Sequence, residues 1–474
     1  MAALSAALVA STAPVVAQQS IDPGSVSGRI TDASGGGARV RLQERENNMF
    51  FSRAIAVCLA LASVLSLTPL RGEQSSIPRP AALDVAGRSD ATPWVAARGR
   101  FVAVAWGATI PSGKTDVFLA VSRDGGATFG QPVQVNSVAG EARLGGELPP
   151  RVALVAAKGM QQPDIVVLWT ARGGSTEIKA ARSRDGGKSF ERSVALQSAG
   201  AAGDRGWPSL ALDPRGRAHA IWLDHRGLAA DKKAGTAHAD HGKSGGDGVA
   251  MAQKSALYYA TVGVAPREQR VAPGVCYCCK TAMAVDDAGV VYTAWRHVYA
   301  GNMRDMAFAV SRDAGRSFST PVRVNEDGWS ISGCPDDGPA LAASGGNVHM
   351  IWPTVLNQGT PQGALFYTST RDGRTFAPRV RIPTLGGLRP AHPQIAASKG
   401  KVFVAWDEGM NGQRLAVVRE LKTAANGTGT FGEPIVLGGS GPASYPVLAA
   451  TDAGFLAVWT AGSDPSRIET RLIR

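Results

Sequence analysis

Beyond residue 70 this 474-residue chain has no long apolar run, so its main body offers no helix able to cross a bilayer. It carries no DNA- or RNA-binding motif. Its basic residues are dispersed, and nucleic acid is set aside as a partner. Cysteine is scarce: five residues, one of them (Cys58) inside an apolar N-terminal stretch and four further on. Acidic residues are outnumbered, 38 Asp and Glu against 50 Lys and Arg, which leaves a net charge of +12. That balance favours an anionic partner: an acidic glycan, another small acidic ligand or an anionic surface. Glycine, by contrast, is plentiful at 57 residues, well above the usual ~7%. Frequent tight turns account for it.

What the chain has most of is repetition. Three stretches read SRDGGATF (Ser122–Phe129), SRDGGKSF (Ser183–Phe190) and SRDAGRSF (Ser311–Phe318). A shorter copy, TRDGRTF, spans Thr370–Phe376, and NGTGTF at Asn426–Phe431 is a decayed fifth. These residue types suit a hairpin turn. The Asp carboxylate accepts backbone N–H groups across the loop, glycine supplies positive φ, and Phe plugs the turn onto the sheet. The Asp position recurs at Asp124, Asp185, Asp313, Asp372 and Asn426, in steps of 61, 128, 59 and 54. The step of 128 is two periods with one turn missing.

A second landmark has the same period: an apolar run ending in Trp, at Trp106, Trp169, Trp222, Trp295, Trp352, Trp406 and Trp459. Repeats of this length indicate a propeller. Each unit reads as a four-stranded antiparallel meander, one blade. Seven units predict seven blades, with six as the alternative. The last unit stops at its third strand, IETRLI (Ile468–Ile473). The segment RPAALDV (Arg79–Val85) is placed to supply the fourth and close the ring.

The turn pattern Ser-x-Asp-x-Gly-x-Ser/Thr-Phe resembles the Asp box of the sialidase superfamily, whose fold is an all-β propeller. In that superfamily the box is a structural turn remote from the active site. Asp124, Asp185, Asp313 and Asp372 are therefore expected to hold turns. The superfamily's sialidases have six blades, one fewer than the repeats count here.

The N-terminus suggests export. Residues 49–72 begin MFFSRAIAVCLALASVLSLTPL, a short basic start and an apolar stretch of signal-peptide length, which can also serve as a membrane tether. Residues 1–48 carry a second signal-like stretch and are read as an overlong extension, with Met49 the true start. Residues 73–474 form the single propeller. The expected location is secreted or periplasmic.

In a meander blade, the start of strand one and the end of strand two open on one face and the box turn on the other. Aligned on strand one, the blades bring Glu147, Asp204, Arg205, Lys280, Asp337, Arg389, His392 and Tyr445 toward the central pocket. Ends of strand two add Asp224, His225, Arg226, Arg296, His297, Asp407 and Glu408. Cys276, Cys278 and Cys279 in GVCYCCKTA, and Cys334 in SGCPDDGPA, belong to the same face. Cys276 and Cys334 are 58 residues apart, as are the matching strand starts Thr281 and Pro339. The leading expectation is disulfide pairing, with Cys276–Cys334 one of three possible connectivities. The rival is a copper or zinc site on these thiolates with His297, or with His225, His238, Asp240 and His241. Cys-x-Cys-Cys is not a standard zinc spacing.

The resemblance to sialidases implies a glycosidase of exo-sialidase type acting on acidic glycans. Such enzymes clamp a carboxylate with arginines and use a Tyr activated by Glu as nucleophile, with an Asp acid/base. By position, Arg205, Arg226, Arg296 and Arg389 would supply the clamp, with Asp337 and His392 beside them. Tyr445 would be the nucleophile, Glu147 or Glu408 its activator and Asp224 the acid. The superfamily's early Arg-Ile-Pro is absent from the first blade; the RIP at Arg381–Pro383 falls in a fourth strand. The alternative is a propeller that binds a glycan, protein or metal without catalysis.

Overall fold

Seven antiparallel sheets follow one another along the chain in the computed structural model. Described are residues 81–474, apart from 157–161, 199, 201, 234–247, 264–267, 332–334, 336, 358–359, 424–428 and 440. The expected extension and export segment, Cys58, Cys334, Asn426, His238, Asp240 and His241 lie outside the described residues. Ser89–Arg98, Phe101–Thr109, Thr115–Ser122 and Val133–Gln134 make blade one. Later blades start at Arg151, Arg205, Ala282, Ala340, Leu388 and Ala443. In blade six two short strands, Gly429–Phe431 and Ile435–Val436, share the edge of Gln413–Thr423. Two short helices, Arg226–Lys233 and Gly248–Gln253, lie between the second and third strands of blade three. Among the described residues no helix is long and apolar enough to cross a membrane.

Ring closure takes the form expected from the unpaired last strand. Ala81–Leu83 pairs antiparallel with Arg467–Ile473, matching Ala82 to Glu469 and Leu83 to Ile468. Blade one is then tied to blade seven: Asp90 N–H donates to Ser466 O at 3.0 Å, and Thr92 N–H to Thr460 Oγ1 at 3.0 Å. Closure leaves no first or last sheet edge open to another chain.

The repeated tryptophans explain why the blades stack. Trp106, Trp169, Trp222, Trp352, Trp406 and Trp459 are 0% exposed, and Trp295 is 1%. Each packs into a separate apolar cluster between its own blade and the one before. Trp169 meets Val117 and Leu119 of blade one, while Trp106 meets Leu456 and Val458 of blade seven. Second strands are sandwiched between neighbouring blades, so Asp164–Ala171 is buried at every position and its sequence runs apolar without alternation.

Four indole N–H groups are satisfied by a carboxylate. Trp106 donates to Asp90 (2.7 Å), Trp222 to Asp224 (3.2 Å), Trp352 to Asp327 (2.8 Å) and Trp406 to Glu408 (3.0 Å). Trp295 faces His297 Nδ1 at 3.4 Å.

The box turns share one wiring. In the first, Ser122 Oγ donates to Asp124 at 2.7 Å and accepts from Gly126 N–H, while Thr128 donates to Asp124 from its N–H and its hydroxyl. The pattern recurs around Asp185 and Asp313, and in part around Asp372.

Candidate functional site

At the opposite end of the blades, strand one enters through a second repeat, one that sequence reading grasped only in part. Its seven positions are Thr92-Pro93, Pro149-Pro150, Trp207-Pro208, Lys280-Thr281, Gly338-Pro339, His392-Pro393 and Tyr445-Pro446. Thr92, Trp207, His392 and Tyr445 have φ of 53°, 52°, 54° and 53°, the left-handed region that non-glycine residues avoid. A following proline disfavours the right-handed alternative. The strand register slips at each of the four, between Ala91 and Trp94, Gly206 and Ser209, Ala391 and Gln394, and Ser444 and Val447. Such a bulge re-aims a side chain, and four copies of a costly conformation mark the site that the fold sustains it for. The signal legible in sequence is a proline at the same place in six blades.

Six of the expected residues meet here. Lys280 Nζ lies 3.7 Å from Glu147 Oε2 and 3.9 Å from Asp337 Oδ1, and donates to Pro393 O at 3.1 Å. His392 Nδ1 contacts Asp407 Oδ1 and Oδ2 at 2.8 Å each, and its Nε2 faces Glu147 Oε1 at 3.7 Å. Asp337 Oδ2 accepts the His392 N–H, and Asp407 Oδ2 accepts the Tyr445 N–H. The Tyr445 ring lies against the His392 ring with centroids 4.4 Å apart. Gly146 permits this: a Cβ there would come within 2.5 Å of the Tyr445 ring. Asp407 and Arg414 form an ion pair behind the histidine.

Burial sets the electrostatics. Both Glu147 oxygens are buried without a hydrogen-bond partner. Loss of water pushes its carboxyl up to about 8 despite the attraction of Lys280. Burial works against a charged His392, but Asp407 and Glu147 outweigh it and raise its pKa. Asp407 is likewise opposed by burial, yet His392 and Arg414 hold it below the usual carboxylate range. Tyr445 is pushed up to about 12 by burial, then by Asp407 and Glu147, so its phenol keeps its proton. With Glu147 neutral, Lys280 faces the Asp337 carboxylate and Arg414 that of Asp407, Arg151 lies over the Trp94 ring, and His392 adds charge when protonated. The gap between Glu147, Lys280, His392, Tyr445 and Trp94 measures about 10 Å³, room for about one water.

The remaining candidates stand outside this cluster. Arg205 is held by Asp224 and by the carbonyls of Ala202 and Gly203. Arg226 pairs with Asp224 and Glu268 over the Tyr258 ring. Arg296 donates to three carbonyls, Asp337 O, Arg304 O and Pro353 O. Asp224 and Glu408 turn back to their tryptophans, and Glu408 also accepts the Leu385 and Gly387 N–H groups. Asp204 accepts the Thr176 N–H, and His225 contacts Ser255. Arg389 is exposed at the rim. Asp407, Lys280 and Arg414 carry the arrangement as much as the residues first singled out for the chemistry.

The cysteine cluster ends one residue before Lys280. Cys276, Cys278 and Cys279 are buried, with their sulfurs all within 4.8 Å of one another. Cys276 is a reduced thiol, so the Cys276–Cys334 bridge suggested by equal offsets is not formed. Cys278 is in a disulfide. His297 is not part of the sulfur group; it stacks on Tyr299.

No family model matches the chain, and no curated protein matches it in sequence. Similar solved structures include a Hadza microbial sialidase: 15% identity, TM-score 0.44, covering 76% of this chain and 73% of that one. A PL25 ulvan lyase shows 10% identity and TM-score 0.48, covering 83% and 96%. A Penicillium chrysogenum α-L-arabinanase shows 13% identity and TM-score 0.43, covering 83% and 98%. In its architecture the chain is a β-propeller of seven antiparallel blades.

Proposed function

We propose that this propeller acts on an acidic glycan by acid–base chemistry at Glu147, Lys280, Asp337, His392, Asp407 and Tyr445. The observation that carries this reading is a buried Lys280 beside a gap flanked by three proton-transfer groups, Glu147, His392 and Tyr445. One oxygen of the saccharide's carboxylate fills the gap, and the sugar ring sits over the mouth. Lys280 and Arg151 supply the counter-charge. Asp407 orients His392 so that Nε2 faces the gap as proton acceptor, as a general base requires. Tyr445, protonated across the neutral range, is the proton donor to a leaving oxygen.

Exo-sialidase hydrolysis is the second reading, favoured by the placement of Tyr445 and Glu147 on the same gap. It demands a phenolate nucleophile, which the neighbouring carboxylates oppose, and a clamp without Arg205, Arg226 and Arg296. In either reading the protein works after export, secreted or periplasmic, on the strength of the 49–72 segment.

The test is a panel of uronate-containing polysaccharides and sialosides, incubated with wild type, Tyr445→Phe and His392→Asn. Unsaturated sugar ends report elimination; free sialic acid reports hydrolysis. Wild type should release one of these, and each variant should lose about a hundredfold or more in kcat. Binding without turnover would leave a lectin-like propeller. Neither binding nor turnover on any acidic glycan sinks the proposal.

A further inference from the structure

Cys276 and Cys279 are the nearest pair of sulfur atoms among the described residues, 2.7 Å apart and 1% and 2% exposed. Neither is in a disulfide. A turn brings them together: Cys279 N–H donates to Cys276 O at 3.4 Å. Arg304 is buried beside them, its Nη1 donating to Cys276 Sγ at 3.3 Å. Cys276 N–H donates to Arg296 O at 2.9 Å, which fixes the first cysteine to blade four. The group packs against Trp207, a member of the strand-one ring, and Cys279 directly precedes Lys280.

We propose that Cys276 and Cys279 are a dithiol–disulfide pair that closes into an internal bridge beneath the candidate site. Distances favour this over a shared metal ion. A disulfide needs its sulfurs at about 2.05 Å, a closing movement of well under 1 Å. Two thiolates on a tetrahedral zinc at about 2.3 Å each stand roughly 3.8 Å apart, so chelation would force the sulfurs open. The Arg304 guanidinium also repels a metal cation while stabilising a thiolate. Burial pushes the Cys276 thiol up, but Cys279 and then Arg304 and Arg296 outweigh it and bring it down to about 7. That is the range in which a thiolate attacks a disulfide well.

The oxidant is a small disulfide such as oxidised glutathione, or the active-site disulfide of a thiol oxidoreductase. The Cys276 thiolate attacks one sulfur, forming a mixed disulfide and expelling one glutathione thiolate. The Cys279 thiolate, its proton gone to solvent, then attacks the Cys276 sulfur and expels the second. Two protein thiols are oxidised and one glutathione disulfide is reduced to two glutathiones.

The experiment uses the full chain, both folded and refolded from the reduced, denatured state, in a glutathione redox buffer. After alkylation and proteolysis without reductant, mass spectrometry should find a Cys276–Cys279 link that dithiothreitol removes. Thiol titration in denaturant should fall by two relative to a sample whose other disulfide is intact. Oxidation should change tryptophan fluorescence, and the change should shrink in Trp207→Phe and vanish in Cys276→Ser. The proposal is overturned if both thiols remain alkylatable after refolding in oxidised glutathione. It is equally overturned if Cys276 is found linked to another cysteine, or if stoichiometric copper or zinc co-purifies and protects the thiols.

Discussion

The two ends of the blades were built on opposite rules. At one end the box turn is written nearly identically three times, and its wiring is the same at Asp124, Asp185 and Asp313. At the other the backbone repeats, with φ near 50° at four strand entries, but the side chains placed there are Thr92, Pro149, Trp207, Lys280, Gly338, His392 and Tyr445. Where each blade faces the same mechanical task, one solution is copied. Where seven strand entries converge on the proposed site, each contributes something different. Repetition locates the scaffold, and the loss of repetition on a repeated backbone locates the site.

The electrostatics differ as sharply. Hydrogen bonds from Ser122 and Thr128 hold Asp124 far below the ordinary carboxylate range, and those from Ser189 do so for Asp185. At the other end Glu147 is pushed up to about 8 by burial. Box carboxylates thus contribute stability above their unfolded pKa that is lost on acidification. Glu147 does the reverse: its contribution is most favourable below its unfolded value near 4.5 and is lost as pH rises toward 8.

The largest way to disturb this contrast is at Lys280. Lys280→Met removes the cation between Glu147 and Asp337 and leaves buried carboxylate behind. It should cost about 3 kcal/mol at neutral pH, as for a broken buried pair. Denaturant unfolding should show the deficit growing above pH 8, where wild-type Glu147 ionises beside the lysine and the variant's stays protonated. A deficit that ignores pH would mean the lysine acts by packing alone.

Asp185→Ala at the other end should cost roughly 1–3 kcal/mol, the loss of an acceptor shared by several turn donors. Turnover or ligand affinity of the folded protein should not change. Loss of function at an unaltered melting temperature would contradict the division between the two ends.

Much of this architecture was legible because it is periodic. The tryptophans counted seven blades, and the missing last strand pointed to Arg79–Val85, of which Ala81–Leu83 does pair. The pocket was legible at strand one, where Glu147, Lys280, Asp337, His392 and Tyr445 meet, and at Asp407 on strand two. The other strand-two candidates misled, for a physical reason. Asp224 and Glu408 follow their tryptophans by two residues, so they share its face and can satisfy its indole N–H. Charge at the end of a strand says nothing about which buried donor it answers. Arg205, Arg226 and Arg296 were drawn to such carboxylates and to backbone carbonyls, partners that lie up to 57 residues away in sequence.

A smaller effect separates the two kinds of carboxylate. Glu147→Gln should abolish the alkaline part of the stability profile, leaving the variant more stable than wild type at pH 8 to 9 and level with it near pH 4. Each pKa unit is worth about 1.4 kcal/mol, and an order of 1–2 kcal/mol is expected after relaxation. Asp185→Asn should flatten the acid side instead. Melting temperature measured across pH 3 to 9 reads both, and identical profiles for the two variants would dissolve the contrast.

The smallest effect belongs to Arg389. It has φ of 48° and an exposed side chain at the rim, while its carbonyl accepts from Arg414. Removing an exposed cation changes stability by less than about 0.5 kcal/mol, so Arg389→Ala should melt with wild type. Its contact with a saccharide carboxylate would be in water and worth ~1 kcal/mol or less. Affinity for an acidic glycan should therefore fall no more than about fivefold, and the difference should vanish in high salt. Lys280, buried in the cluster, keeps its influence in the same salt. A hundredfold, salt-resistant loss at Arg389 would show that the carboxylate is read at the rim, and that the buried cations serve the fold alone.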